Sequence, residues 1–111
     1  MLKIERIGTV DLVTFEITRI NALVAEDIKE QVNRVFDQQG AKVVFDLKGV
    51  EYIDSSGFGC FLSALRRARD NYGSVRLTGL EQPVRDLFKT LHLDTVFDIR
   101  QDADEAINSF R

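Results

Sequence analysis

The run from Lys42 to Leu47, KVVFDL, limits the fold most strongly because it is short, β-branched and apolar at nearly every position. A strand without alternation of apolar and polar residues usually has both faces covered in the folded protein. A segment with helical spacing precedes it: Val24 to Gln38 carries apolar residues at steps of three and four, and Gly40 follows as a helix stop. We therefore predict a central strand within an α/β fold.

Segments with strand and helix periods alternate through the rest of the chain. Leu2 to Ile7 and Val10 to Ile17 are expected to form neighbouring strands joined by a turn at Gly8. After the central strand the sequence predicts a helix whose apolar face consists of Phe58, Phe61, Leu62, Leu65, Ala68 and Tyr72. A strand from Val75 to Leu77 and a helix that begins at Pro83 are expected next. A strand from Thr95 to Ile99 and a terminal helix that begins at Asp102 complete the chain.

These elements predict an α/β fold with a mixed sheet of about four to five strands and about four helices. The length fits one small domain over residues 1–111. The residues expected to meet in the core are Phe45, Ile53, Phe61, Leu65, Leu87 and Phe88.

Composition and charge argue against nucleic acid as a partner and against insertion into a membrane. The net charge is -3, and basic residues are scattered among acidic ones instead of forming a stripe. No apolar run approaches the roughly 20 residues that span a bilayer, and Met1 to Arg6 lacks the apolar core of a signal peptide. Cys60 is the single cysteine, so no intramolecular disulfide can form. We expect a cytoplasmic protein.

Signatures of catalysis are mostly missing. Cys60 and His92 have the residue types of a nucleophilic dyad, but Cys60 lies between positions of a helix's apolar face and His92 follows a core leucine. Asp46 and Asp54 could hold Mg²⁺ at one end of the sheet, yet they lack a third carboxylate. Phosphate-loop and dinucleotide-binding patterns are absent from the sequence. We expect no catalytic residue, no metal site and no cofactor.

One cluster is not explained by packing: Asp54, Ser55 and Ser56 stand where a strand ends and a helix begins. Each is a preferred N-cap residue, and three exceed what one cap requires. Gly57 and Gly59 are poor helix formers that keep side chains away from Ser56. The Ser56 hydroxyl is then expected at the positive end of a helix dipole, where a phosphate is well tolerated. From the residues alone, a plain capping sequence and a phosphate-accepting site both remain open.

The stretch from Val43 to Gly59, VVFDLKGVEYIDSSGFG, resembles the signature of the STAS family, which includes the bacterial anti-sigma factor antagonists. That signature is an apolar strand ending in D-L, a short spacer, and D-S-S-G followed by leucine or phenylalanine and glycine. Three later segments match the family's order along the chain: Leu77 to Leu80, Pro83 to Phe88 and Leu91 to Phe97. The resemblance covers nearly the whole chain and is most specific at D-S-S-G.

This resemblance implies a switch protein and not an enzyme. Ser56 would be the phosphoacceptor, and Asp54, Ser55 and Gly57 would support the phosphorylation site. The kinase would be the anti-sigma factor itself, a serine kinase of the histidine-kinase-like ATPase type, and a PP2C-type serine phosphatase would remove the phosphate. The unphosphorylated protein would bind this kinase and free a sigma factor, so the chain would regulate transcription.

The implied partner-binding surface comprises Ile20, Asn21, Ala22 and Phe58. Here the sequence departs from the family, in which a G-x-[LI]-D segment often precedes the first helix. The matching stretch from Thr18 to Asn21 is T-R-I-N, so the glycine is absent and a neutral amide replaces the acid. Partner identity or phosphorylation efficiency is expected to differ accordingly.

Two alternatives stay open at this point. The chain could be a constitutive STAS subunit of a transport complex or another signalling assembly, in which Ser56 is only a cap or a contact residue. It could also be a small hydrolase using Ser56 or Cys60, although the motif offers no general base.

Overall fold

The computed structural model describes residues 1–110, and its elements follow the periods of the sequence. Alternating apolar residues form strands, and apolar residues three and four apart form helices. In chain order the elements are β1 (Leu2–Ile7), β2 (Val10–Phe15), β3 (Arg19–Ile20), α1 (Ala22–Val35), β4 (Lys42–Asp46), β5 (Tyr52–Ile53), α2 (Ser55–Asp70), β6 (Ser74–Thr78), α3 (Gln82–Thr90), a 3-10 turn (Leu93–Thr95), β7 (Asp98–Arg100) and α4 (Ala103–Asn108). Among the described residues no helix combines the length and apolarity needed to cross a membrane.

The main sheet has the strand order β1-β2-β4-β6-β7. β1 and β2 form an antiparallel hairpin, and the other neighbours are parallel. β4 lies in the middle, and its Val43, Val44 and Phe45 are fully buried. This confirms the central strand predicted from the unbroken apolar run, since neighbouring strands and the layers on both faces keep water from it.

Helices cover both faces of this sheet. On one face α1, α2 and α3 bury the main core, in which neighbouring phenylalanine rings lie 5.5 to 6.4 Å apart between centroids: Phe15, Phe45, Phe61 and Phe88. On the other face α4 covers a smaller cluster, which consists of Val10, Leu12, Val44, Ala106 and Ile107. Of the predicted core residues, Leu65 and Leu87 are only partly buried and pack against the others.

The predicted strand from Thr95 to Ile99 is corrected by the structure. Leu93–Thr95 wind into a 3-10 turn, and the N–H groups of Val96 and Phe97 then donate to the Leu93 carbonyl. The backbone is coiled there, so it can pair with β6 only along Asp98–Arg100.

Three smaller expectations are also corrected. β2 ends at Phe15 and does not reach Ile17, and α1 begins and ends earlier than predicted. Leu62 is 43% exposed and Tyr72 is 80% exposed, so neither belongs to the buried face of α2. Tyr72 follows the end of the helix with a φ of 58°, and this left-handed conformation turns its side chain away from the helix face.

Gly57 allows the first turn of α2 to approach β3 and β5 closely. A Cβ atom at Gly57 would lie 2.6 Å from Cγ2 of Ile53, 2.8 Å from the carbonyl oxygen of Ile20 and 2.9 Å from its Cγ2. Gly59, two residues further along the helix, has no atom within 4 Å of the position that a Cβ atom would occupy. Only the first of these glycines is therefore required by packing.

Alanine substitutions at the two glycines should act in opposite directions. Gly57→Ala should destabilise the protein by about 1 to 3 kcal/mol because the new methyl overlaps a backbone carbonyl and buried isoleucines. Gly59→Ala, the matched control, should stabilise it by up to about 1 kcal/mol because alanine is the better helix former. Urea denaturation followed by circular dichroism measures both, and equal effects of the two substitutions would contradict the proposed contact.

Candidate functional site

A short parallel ladder places two helix N-termini next to each other. Ile20 of β3 pairs with Ile53 of β5, and each is the last residue of its strand. Asn21 and Asp54 follow directly, and they are the N-caps of α1 and α2. The Asp54 N–H donates to the Ile20 carbonyl at 3.1 Å, which joins the two connections. The first turns of both helices therefore lie side by side.

Asp54 caps α2 by itself. Its backbone is extended, with φ -93° and ψ -175°, and its carboxylate accepts the Gly57 N–H at 3.0 Å. Ser55 and Ser56 are the next residues and begin the helix. Neither serine hydroxyl forms a hydrogen bond to any residue in the range 1–110. Since the cap is already complete, both hydroxyls are available for another role.

Ser56 lies where a negative charge is stabilised. It is half-buried in the first turn of α2, whose N–H groups lack intrahelical partners and carry the positive end of the helix dipole. The neighbouring Ser55 is exposed and Gly57 is buried. An added phosphate would be accommodated by the helix terminus without unfolding it.

A groove of about 430 Å³ runs between α1 and α2, and Ser56 lines it. Gly59 also lines the groove and has no side chain to fill it. The other lining residues are Ala22, Ala25, Glu26, Lys29 and Cys60. Because the charged members are one acid and one base, the groove walls carry little net charge of their own.

The residues predicted to bind a partner do not all reach the surface. Ala22 is exposed and Asn21 is half-buried, whereas Ile20 is 0% exposed and Phe58 is 6% exposed. Phe58 packs edge-on against Phe88, with ring centroids 5.1 Å apart. The prediction is therefore corrected for Ile20 and Phe58, because tertiary packing turns both side chains inward. They support the two helix N-termini from beneath.

Asn21 has a clear structural role at the position where the sequence departs from the STAS pattern. Its Oδ1 atom accepts the Leu23 N–H at 3.0 Å and caps α1. An aspartate could form the same cap, since asparagine and aspartate are about equally good N-cap residues. The exchange of acid for amide therefore alters the charge beside Asp54 and leaves the local backbone geometry unaffected.

Leu23 is a surface residue that the sequence pattern did not identify as part of the site. It is 90% exposed, the highest value among the exposed large apolar side chains of residues 1–110. A signal was present in the sequence, because Leu23 is out of step with the buried stripe of α1, which consists of Ala25, Ile28 and Val32. An apolar side chain next to the Ser56 turn offers a partner a group to bury.

The other candidate reactive residues have structural surroundings. The buried Cys60 thiol donates to the Ala25 carbonyl at 3.2 Å, and burial raises its pKa. His92 is exposed beyond the end of α3. The expectation that Leu91 before it belongs to the core is corrected, because this C-cap residue is 50% exposed. Asp46 accepts the Lys48 N–H at 3.0 Å in a local turn. Within the described part of the chain, no three His, Cys, Asp or Glu residues are grouped so that they could hold a metal ion.

Comparison with known proteins agrees with this architecture. The STAS domain model matches residues 2–106. The anti-sigma-B factor antagonist of Listeria monocytogenes is 30% identical over 81 residues, which cover 73% of this chain and 71% of that protein.

Solved structures show the same fold. An anti-sigma-factor antagonist (STAS) domain protein from Planctomyces limnophilus aligns with a TM-score of 0.89 and 20% identity, over 99% of this chain and 97% of the other. Unphosphorylated SpoIIAA, an anti-sigma factor antagonist, aligns with a TM-score of 0.82 and 18% identity, over 100% and 96%. The Bacillus cell fate determinant SpoIIAA in its phosphorylated form aligns with a TM-score of 0.75 and 18% identity, over 100% of both chains. Sequence signature and architecture lead to the same conclusion, and the chain belongs to the STAS domain family.

Proposed function

We propose that this domain is a binding protein whose affinity for its partner is controlled by phosphorylation of Ser56, in the manner of an anti-sigma factor antagonist. The observation that supports this most directly is that Asp54 caps α2 alone, while the Ser56 hydroxyl has no hydrogen bond to any of residues 1–110. A serine that capped the helix would lose that role on modification. Ser56 can accept a phosphate while the helix keeps its cap.

The partner in this proposal is an anti-sigma factor that is also the serine kinase, of the histidine-kinase-like ATPase type. The unphosphorylated domain would bind it and release the sigma factor that it holds. Similarity to the Listeria anti-sigma-B factor antagonist supports this class of partner. A PP2C-type serine phosphatase would restore the binding form, and the cycle would take place in the cytoplasm.

The proposed contact region is the switch surface, which we define as Asn21, Ala22, Leu23 and Ser56. All four lie in or directly before the first turns of α1 and α2, which the β3–β5 ladder holds together. Leu23 supplies the apolar contact, since full burial of a leucine side chain contributes about 1.5 to 3 kcal/mol. A phosphate on Ser56 would prevent the partner from making that contact.

Phosphorylation would act on the interface and leave the fold intact. The phosphate adds about 1.5 to 2 negative charges at pH 7. In the free domain this charge faces solvent at a helix N-terminus, where it is tolerated. In a complex it would be buried beside the Asp54 carboxylate, and desolvation without a cationic partner is costly. A loss of only about 3 kcal/mol weakens binding more than a hundredfold, which is enough for a switch.

Removal of the exposed leucine should weaken partner binding without affecting stability. Leu23→Ser should raise the Kd for the kinase by about 10- to 100-fold, because the complex loses the burial of an apolar side chain. The control is Leu91→Ser, at a leucine that is 50% exposed at the end of α3 and outside the switch surface. Isothermal titration should show no change for the control. Equal affinities of Leu23→Ser and the unmodified protein would place the contact elsewhere.

Substitution of the two serines should identify the phosphoacceptor. Ser56→Ala should abolish phosphate incorporation from ATP and the kinase, whereas Ser55→Ala should largely retain it. Since Asp54 is the cap, Ser56→Ala should change the free energy of unfolding by less than about 0.5 kcal/mol. Asp54→Ala should cost about 0.5 to 2 kcal/mol. Ser56→Asp carries one charge and no tetrahedral oxygens, so it should weaken the complex only partly.

Phosphopeptide mapping and intact mass measure these outcomes, together with the affinity of each variant for the kinase. Phosphate on Ser55 or Thr78, with Ser56 unmodified, would refute the assignment. A native protein that never carries phosphate, and whose binding Ser56→Asp leaves unchanged, would favour the constitutive subunit instead.

Replacing Asn21 by the aspartate of the family pattern tests whether the charge at the cap of α1 affects partner binding. Asn21→Asp keeps the cap, so stability should change by less than about 0.5 kcal/mol. It adds a negative charge next to Asp54 on the switch surface, so we expect a change in the affinity for the kinase. Asn108→Asp adds the same charge on α4, across the sheet, and should leave the affinity unaltered. If the titration curves of both variants are identical to that of the unmodified protein, Asn21 has no part in binding.

A further inference from the structure

Among residues 1–110, no strand pairs with the outer edge of β1. β1 is the first strand in the sheet order, and it is paired with β2 along one side only. Lys3 to Ile7 are all exposed, and Ile4 is 46% exposed. Strand edges of this length are normally covered or blocked, because their free N–H and C=O groups can pair with another chain.

The alternation of hydrogen-bonded and non-hydrogen-bonded pairs in the β1–β2 hairpin shows which backbone N–H and C=O groups of β1 do not bond to β2. The Glu16 N–H donates to the Met1 carbonyl, so Met1 and Glu16 form a hydrogen-bonded pair. Such pairs recur at every second residue of an antiparallel ladder. Lys3, Glu5 and Ile7 of β1 therefore bond to β2. Leu2, Ile4 and Arg6 direct their N–H and C=O groups away from the sheet.

The charges along β1 select one register for pairing with an identical strand. In a two-fold antiparallel arrangement, a register centred on Lys3, Glu5 or Arg6 places two like charges directly opposite each other, which is unfavourable. The register centred on Ile4 places Ile4 opposite Ile4 of the other copy. It also places Lys3 of each copy opposite Glu5 of the other, and Leu2 opposite Arg6. Registers centred at either end of the strand pair fewer of its six residues.

We propose that β1 pairs with β1 of a second copy of this chain, antiparallel and centred on Ile4, so that the two sheets become continuous. Ile4 is one of the outward-bonding residues, so the central pair would be hydrogen-bonded and would bury an exposed apolar side chain. Lys3 and Glu5 already lie 3.6 Å apart within one strand, between Nζ and Oε1, and each would gain an oppositely charged neighbour across the dyad.

This register pairs five of the six β1 residues of each copy, Leu2 to Arg6, which is a small interface, so the dimer should be weak and dependent on concentration. The switch surface contains no residue of β1, and β1 contributes nothing to the groove beside Ser56. Dimerisation therefore neither requires nor prevents phosphorylation, and the two can be tested separately.

Charge reversal at the centre of the interface tests the register. In sedimentation equilibrium of the full chain, Lys3→Glu and Glu5→Lys should each raise the dimer dissociation constant by about tenfold or more, because like charges then face each other. The double variant Lys3→Glu/Glu5→Lys should restore it. Glu30→Lys reverses a charge of the Arg34 pair on α1 and should have no effect.

Amide hydrogen exchange tests the hydrogen bonds themselves. The amides of Leu2, Ile4 and Arg6 should become protected as protein concentration rises, while those of Lys3, Glu5 and Ile7 should be protected at every concentration. A protein that stays monomeric up to about 1 mM would overturn the proposal. So would a double variant that fails to restore association, or a dimer in which the Ile4 amide stays unprotected.

Discussion

A parallel ladder of two residues in each strand, in which Ile20 lies beside Ile53, brings the N-termini of α1 and α2 together. Such a short ladder would not be stable alone. Both isoleucines are buried in the main core, and the absence of a side chain at Gly57 lets α2 pack directly onto them. The geometry of the surface around Ser56 therefore depends on buried apolar contacts that no partner would touch.

In the D-S-S-G-F-G segment, different residues stabilise the fold and form the proposed phosphorylation site. Asp54 ends the preceding strand segment and caps α2, Gly57 permits the close approach, and Phe58 fills the core against Phe88. Ser56 neither caps the helix nor packs in the core. A modification there can change what the surface binds while the contacts that stabilise the fold stay in place. In the proposed switch, this separation would let a small domain carry a large change of charge without unfolding.

The sheet edge at β1 and the switch surface belong to different parts of the fold. β1 is the terminal strand of the main sheet, whereas the switch surface is built on the separate β3–β5 pair and the helices that follow it. Association of two copies would present two switch surfaces in one particle. The α4 side of the sheet, with its own small core, is involved in neither.

The sequence by itself determined the α/β architecture, the buried central strand, all four helices and the serine motif, because these depend on periodicity and on residue types close together in the chain. Only the tertiary structure decided that Ile20 and Phe58 are buried, that Leu23 is exposed and that Asp54 alone is the cap. Periodicity shows which side of an element is apolar, but exposure depends on what other elements cover. A two-residue strand such as β3 is too short to show a period, so the ladder that assembles the site could be recognised only when Ile20 and Ile53, distant in sequence, lay side by side.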